Sequence, residues 1–258
     1  MHYVGVDLAW GPNGTTGLAV LDAGGRLLAA DRAKTDGEIL AWLAPWAQGP
    51  CRVGFDAPIV VRNVTGSRAC EKLTGRYFGR YHASCYPANT SIPVFRDGGR
   101  ALRLITPLGL EIGPGAGVRQ ALEVYPHVAI VMLAGLPSVL RYKNKPGRDL
   151  DLLRAEMVQL ADFLEGLAGD PVPLHVHSSP DWAALRATVA GAATKAALHR
   201  AEDPLDAIVC AYIAALTDLA PDRVRTLGHP AEGSITVPVT PAVAARIDTD
   251  RTAASVPG

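Results

Sequence analysis

Five acids stand where a chain of this kind could do chemistry. Asp7 follows the apolar run that starts at Tyr3, and Leu8-Ala9-Trp10 continue it. Asp56 ends the run Cys51 to Phe55 and opens the turn Asp56-Ala57-Pro58. Glu123 stands at the end of a third short run, and Asp203 and Asp206 stand at the entrance to the apolar segment Leu205 to Leu219. Carboxylates at strand ends of an α/β sheet face the crevice where ligands bind. Gathered together they repel one another unless a cation sits between them. Hard oxygen donors suit Mg²⁺ or Mn²⁺, and two such ions roughly 3.5–4 Å apart can clamp the attacking and leaving oxygens of a phosphodiester. Plainer roles exist for each acid. Asp56-Ala57-Pro58 reads equally as a turn, and Asp203-Pro204 as an N-cap followed by proline at the first helical position. Asp206 then falls in a first turn, where the helix dipole favours an acid. Its neighbours Leu205, Ile208, Val209, Tyr212 and Ile213 are apolar nearly all round, so this carboxylate needs a partner.

These acids have to be positioned by a sheet and a helix. Tyr3 to Leu8, Gly17 to Leu21 and Arg26 to Ala30, separated by Gly- and Asn-containing turns, predict a three-stranded antiparallel meander. Thr35-Asp36 caps an amphipathic helix that closes near Gly49, and Cys51 to Phe55 is a fourth strand. Residues 62–117 lack clean periodicity and read as a long insertion, with a short helix from Gly66 to Gly75. Ala121 to Tyr125 is a fifth strand. Helices follow over Asp149 to Leu167, from Ser179-Pro180, and from Asp203 to Leu219, and Ser234 to Val239 is a last strand. A hairpin start followed by β/α alternation predicts an α/β domain with a mixed five-stranded sheet flanked by helices. Residues 1–240 form this single domain, and 241–258 read as a flexible tail.

The segments VGVDLAW, VGFDAP, LEVYP and DPLDAIVCAYIA, in that order, resemble the family called domain of unknown function 429, over about residues 3–220. Its members are described as predicted nucleases of RNase H-like fold. In that superfamily a first-strand aspartate, an acid from a later strand and one or two acids on a C-terminal helix hold two divalent metals. The resemblance therefore implies Asp7, Asp56 or Glu123, and Asp206 with Asp203 as helper, as catalytic and metal-binding residues.

Lys and Arg number 25 and Asp and Glu 25, which excludes a globally basic coat. The charge is unevenly placed. From Arg62 to Arg103 there are eight basic residues and two acidic ones, interleaved with Tyr77, Phe78, Tyr81, Tyr86 and Phe95. Arginines among aromatics suit phosphate contacts and base stacking. Arg141, Lys143, Lys145 and Arg148 form a second basic island. Arg68 and Glu71 are spaced for a surface contact on one helix, a pair that also resembles a feature of the family's second motif. Lys143 is placed to steady a phosphate, and Trp10 to wall a pocket beside Asp7. The four cysteines show no CxxC spacing, and neither a signal peptide nor a membrane-spanning run is visible, so a cytoplasmic location is expected. Gly113 to Gly117 imitates a nucleotide loop but precedes a strand and lacks the following GKS/T. His175 and His177 lack a third metal ligand in reach.

Three functions compete. The first is a nuclease dependent on Mg²⁺ or Mn²⁺, with a two-metal carboxylate site and a nucleic-acid partner. The second is a catalytically degenerate nucleic-acid or protein-binding module on the same fold. The third is a phosphotransferase, because VGVDLAWGPNGTTGLAV is similar to the phosphate loop of actin-like ATPases. Those proteins need two such domains, and 258 residues hold one.

Overall fold

The computed structural model describes residues 1–255. Strands β1 (His2–Asp7), β2 (Thr16–Leu21), β3 (Leu27–Ala33), β4 (Cys51–Phe55), β5 (Glu111–Ile112) and β6 (Arg119–Glu123) form a mixed sheet. Its order is β3-β2-β1-β4-β6-β5. The β1–β2 and β2–β3 pairs are antiparallel, while β1–β4, β4–β6 and β5–β6 are parallel. The sheet thus has six strands and not five, because the two-residue β5 adds an edge that no apolar run announces. A separate hairpin, β7 (Val224–His229) with β8 (Gly233–Pro238), adds a second small sheet.

The helices are α1 (Asp36–Leu43), α2 (Ala69–Phe78), α3 (Gly99–Leu108), α4 (Pro126–Ala134), α5 (Leu150–Gly166), α6 (Pro180–Gly191), α7 (Lys195–Leu219) and α8 (Pro241–Ser255). Thr35 and Glu38 form a capping box that fixes the start of α1. Period-2 alternation divides the sheet between two layers. Val4, Val6, Leu18, Val20, Val53 and Phe55 pack with Ile39, Leu43, Leu104 and Ile105 of α1 and α3. Tyr3, Ala19, Leu21 and Leu122 face the other way, against α4, α5 and α7.

Helix α7 is the axis of the molecule. Its residues from Ala201 to Leu216 are all buried, apolar nearly all round except for the stripe that carries Glu202, Asp203 and Asp206. It lies against the sheet backbone itself, because three strand glycines leave no side chain between. A Cβ on Gly17 would stand 1.9 Å from the Asp203 carbonyl oxygen, one on Gly5 1.8 Å from that of Ala207, and one on Gly54 2.6 Å from that of Cys210. The three contacts step along α7 as it crosses β2, β1 and β4.

Three expectations are corrected. Residues 62–117 are an ordered layer that holds α2, α3 and β5. Two arginines there are internal cross-links: Arg68 is buried on Glu71 and Glu123, and Arg100 is buried on Asp36. Asp203 does not cap a helix start. Thr194 caps α7, nine residues before Asp203, and Pro204 lies inside the helix. Residues 241–255 of the expected tail form α8, which buries Val243, Ala244 and Ile247 beside the β7–β8 hairpin; residues 256–258 lie outside the described part.

Candidate active site

Strand parity builds the site. In β1, Gly5 and Asp7 share the face that meets α7, and in β4 Gly54 and Asp56 do the same, with Gly5 paired to Gly54. In both strands the glycine admits α7, and two residues later the aspartate meets it where the strand ends. The Asp56 amide still donates to the Val6 carbonyl at 2.9 Å, so the ladder holds both carboxylates side by side. From α7, Asp206 enters between them, fully buried. Tyr142 donates its hydroxyl to Asp206 Oδ1 at 2.6 Å. Lys143 is the cationic centre. Its Nζ pairs with Asp206 Oδ2, lies 3.3 Å from Glu202 Oε1 and 3.8 Å from Asp7 Oδ2. Asp203 faces outward to Arg32 at 3.3 Å.

The electrostatics record crowding. Burial pushes the Asp7 carboxyl well above the usual carboxylate range; Asp206, Asp56 and Asp203 push the same way, and Lys143 opposes them. Asp56 is pushed up to about 7 by burial, with Asp206 and Glu123 adding to it against Lys143. Burial also raises Asp203, against the pull of His199 and Arg32. Burial works against the Lys143 ammonium, but Asp206 and Asp7 hold it well above the ordinary lysine range. Five carboxylates (Asp7, Asp56, Glu202, Asp203 and Asp206) thus share Lys143 and Arg32. The donor set is hard oxygen, short of positive charge, and open to a cleft. Such a set fits a divalent cation bound through carboxylates.

Glu123 stands apart. It pairs in register with Phe55, on the face turned from α7. Both its oxygens are engaged, by Arg68 at 2.9 and 2.5 Å and by the Ile59 amide at 3.0 Å. Arg68 also donates from Nε to Glu71 at 2.8 Å, and both side chains of that pair are 2% exposed. The surface contact expected of Arg68 and Glu71 is therefore a buried ion-pair network clamping β6 to α2. Trp10 stands at the cleft with Asp7 and Asp56, its ring 5.0 Å from that of Phe95. The cleft encloses about 190 Å³ and is also walled by Tyr86, Tyr125 and His127.

Glu202 and His199 were not foreseen. They stand at i−4 and i−7 from Asp206, on the same stripe of α7 as Asp203. The stripe was hidden because Asp203-Pro204 reads as a helix start, which cuts off the preceding turns. Among the described residues, His199, Glu202 and Asp203 bring ligating atoms within 4.8 Å of one another.

No helix of the described residues is long and apolar enough to cross a membrane. No curated protein and no solved structure matches the chain. The family model described as "Protein of unknown function (DUF429)" matches residues 5–233, which takes in both sheet aspartates, Lys143 and the α7 acids, and the chain belongs to that family.

Proposed function

We propose that the protein is a divalent-metal-dependent nuclease of RNase H-like fold, hydrolysing phosphodiester bonds at the carboxylate cleft. One observation carries this reading: buried acids from β1, β4 and α7 converge with more negative charge than Lys143 and Arg32 offset. The sheet order supports the fold assignment, with an antiparallel meander at one side and parallel strands at the other. In this reading Asp7, Asp56 and Asp206 are the ligands for Mg²⁺ or Mn²⁺, and Asp203 and Glu202 flank them. When bound, such ions activate water and neutralise the leaving oxygen. The chain's own part is to hold the acids rigidly through the Gly5 and Gly54 contacts, and to offer Lys143 to a non-bridging phosphate oxygen. Trp10 limits water at the cleft wall. Glu123 and Arg68 act by fixing β6 and α2, away from the reacting atoms. The four free cysteines support a reducing, cytoplasmic setting.

A second reading is favoured by Lys143 itself. An ammonium already seated among Asp7, Glu202 and Asp206 is what a metal-free, non-catalytic binding module would use to settle its acids. Cleavage of a mixed oligonucleotide pool separates the two. The nuclease reading expects products with Mn²⁺, none with chelator, and none from Asp7→Asn. Equal cleavage by Asp7→Asn removes the site, and absence of any cleavage under all metals favours the binding module.

A further inference from the structure

We infer that the strand path for nucleic acid is a groove between Tyr86 and the 141–148 loop, and that it takes a single strand rather than a duplex. This rests on the nuclease reading for what happens at the groove's end, but the groove is argued on its own residues. The arginine-rich segment 62–103 was the expected path. Its two most enclosed arginines, Arg68 and Arg100, are consumed inside the fold. Positive charge is instead concentrated where two neighbouring hollows adjoin the cleft. One is lined by Tyr86, His127, Lys143, Lys145 and Lys195, and the other by Tyr86, His127, Lys145 and Arg148. Tyr86 and His127 also line the carboxylate cleft, so the three spaces adjoin at these two side chains. Residues 141–148 contain four cations and no acid. Glu202 is the acid that borders this groove, and Lys143 and His199 already face it at 3.3 Å each.

The shape of the loop is held by the protein, so the groove is built in advance of any ligand. Arg148 donates from Nη1 to the Lys143 carbonyl at 2.9 Å, and Lys195, at the start of α7, donates to the Arg148 carbonyl. Tyr86 is 69% exposed, more than any other Phe, Tyr or Trp among the described residues, with the Lys145 ammonium 5.9 Å from its centroid. An exposed tyrosine beside lysines serves bases whose faces are free, which a duplex does not offer.

Fluorescence anisotropy tests this with labelled single-stranded DNA, single-stranded RNA and a hairpin duplex. It uses the Asp7→Asn/Asp206→Asn protein in chelator, so that cleavage plays no part. The expected result is tighter binding of one or both single strands than of the hairpin. Tyr86→Ala weakens that binding by about tenfold or more and Tyr86→Phe restores it. Lys145→Ala/Lys195→Ala lowers the salt slope of log K by about 1.4. The two single-strand arms tell DNA from RNA. Hairpin binding as tight as single-strand binding, no binding of any oligonucleotide, or a Tyr86→Ala protein with unchanged affinity overturns the groove. Metal-dependent cleavage by the wild type is scored separately, so either proposal can fail without the other.

Discussion

Gly5→Ala is the sharpest single perturbation of this fold. The new Cβ would stand 1.8 Å from the Ala207 carbonyl oxygen and 2.5 Å from the Ala211 amide nitrogen. Both atoms are backbone of α7, so no rotamer change relieves the contact. Real Cβ atoms do not approach closer than 3.0 Å, so α7 must retreat by at least about 1.2 Å. Overpacking of this kind costs roughly 1–3 kcal/mol, and a contact with rigid backbone belongs at the upper end. At about 2–4 °C per kcal/mol, the melting temperature falls by roughly 5–10 °C. The same retreat carries Asp206 away from Asp7 and Asp56. Misplacement by about 1 Å costs on the order of a hundredfold in a positioned reaction. Thermal unfolding by circular dichroism and Mn²⁺ titration of the same protein read both effects. Gly37→Ala is the control, because nothing lies within 4 Å of its Cβ and it belongs to the exposed first turn of α1. It should leave both readouts unchanged or raise the melting temperature slightly. A Gly5→Ala protein that melts with the wild type and binds Mn²⁺ equally would refute the close seating of α7 as the device that assembles the site.

Lys143→Met removes the ammonium from Asp206, Asp7 and Glu202, and should lower the unfolding free energy by roughly 3–5 kcal/mol in chelator, with Mn²⁺ restoring part of the loss. Asp56 is raised to about 7 in the fold, so its contribution to metal-free stability is full below about pH 4 and is lost as the pH rises through 7. Asp56→Asn should therefore gain on the order of 1–3 kcal/mol over the wild type at pH 8 and nothing at pH 4, as read by denaturant unfolding. For the same reason wild-type Mn²⁺ affinity should rise by up to about tenfold per pH unit between pH 6 and 7, with proton release visible in buffers of different ionisation heat. Glu123→Gln breaks the buried pair with Arg68 and should cost about 3–5 kcal/mol while leaving Mn²⁺ affinity unchanged. A large loss of affinity there would return Glu123 to the ligand set.

Much of this architecture was legible in local patterns. Alternation and turn glycines placed the meander, Thr35-Asp36 placed α1, and the carboxylates at strand ends placed Asp7 and Asp56. Three pieces are not legible in local sequence, for physical reasons. Asp203-Pro204 has the form of a helix start, but Pro204 lies inside α7, where its missing N–H and its ring's clash with the carbonyl four residues earlier cost roughly 3 kcal/mol, and burial of α7 offsets that loss. That hid Glu202 and His199. Glu123 sits in a strand-end motif like those of Asp7 and Asp56, yet it lacks the glycine two residues earlier. Gly5-Val6-Asp7 and Gly54-Phe55-Asp56 carry it, whereas Ala121-Leu122-Glu123 does not, and parity turns Glu123 to the opposite face. Arg68 was legible as a charge but not as a buried one, because its partner Glu123 lies 55 residues away. The layer between 62 and 117 is short elements held by such long-range pairs, which leave no periodic trace.

The central claim is that Asp7, Asp56 and Asp206 form one divalent-cation site. Calorimetric titration of Mn²⁺ into wild type and into Asp7→Asn/Asp206→Asn at pH 8 tests it directly. The account predicts saturable binding by the wild type, with heat that disappears in the double variant while its thermal unfolding remains cooperative. Equal binding by both proteins, or none by a folded wild type, would contradict it.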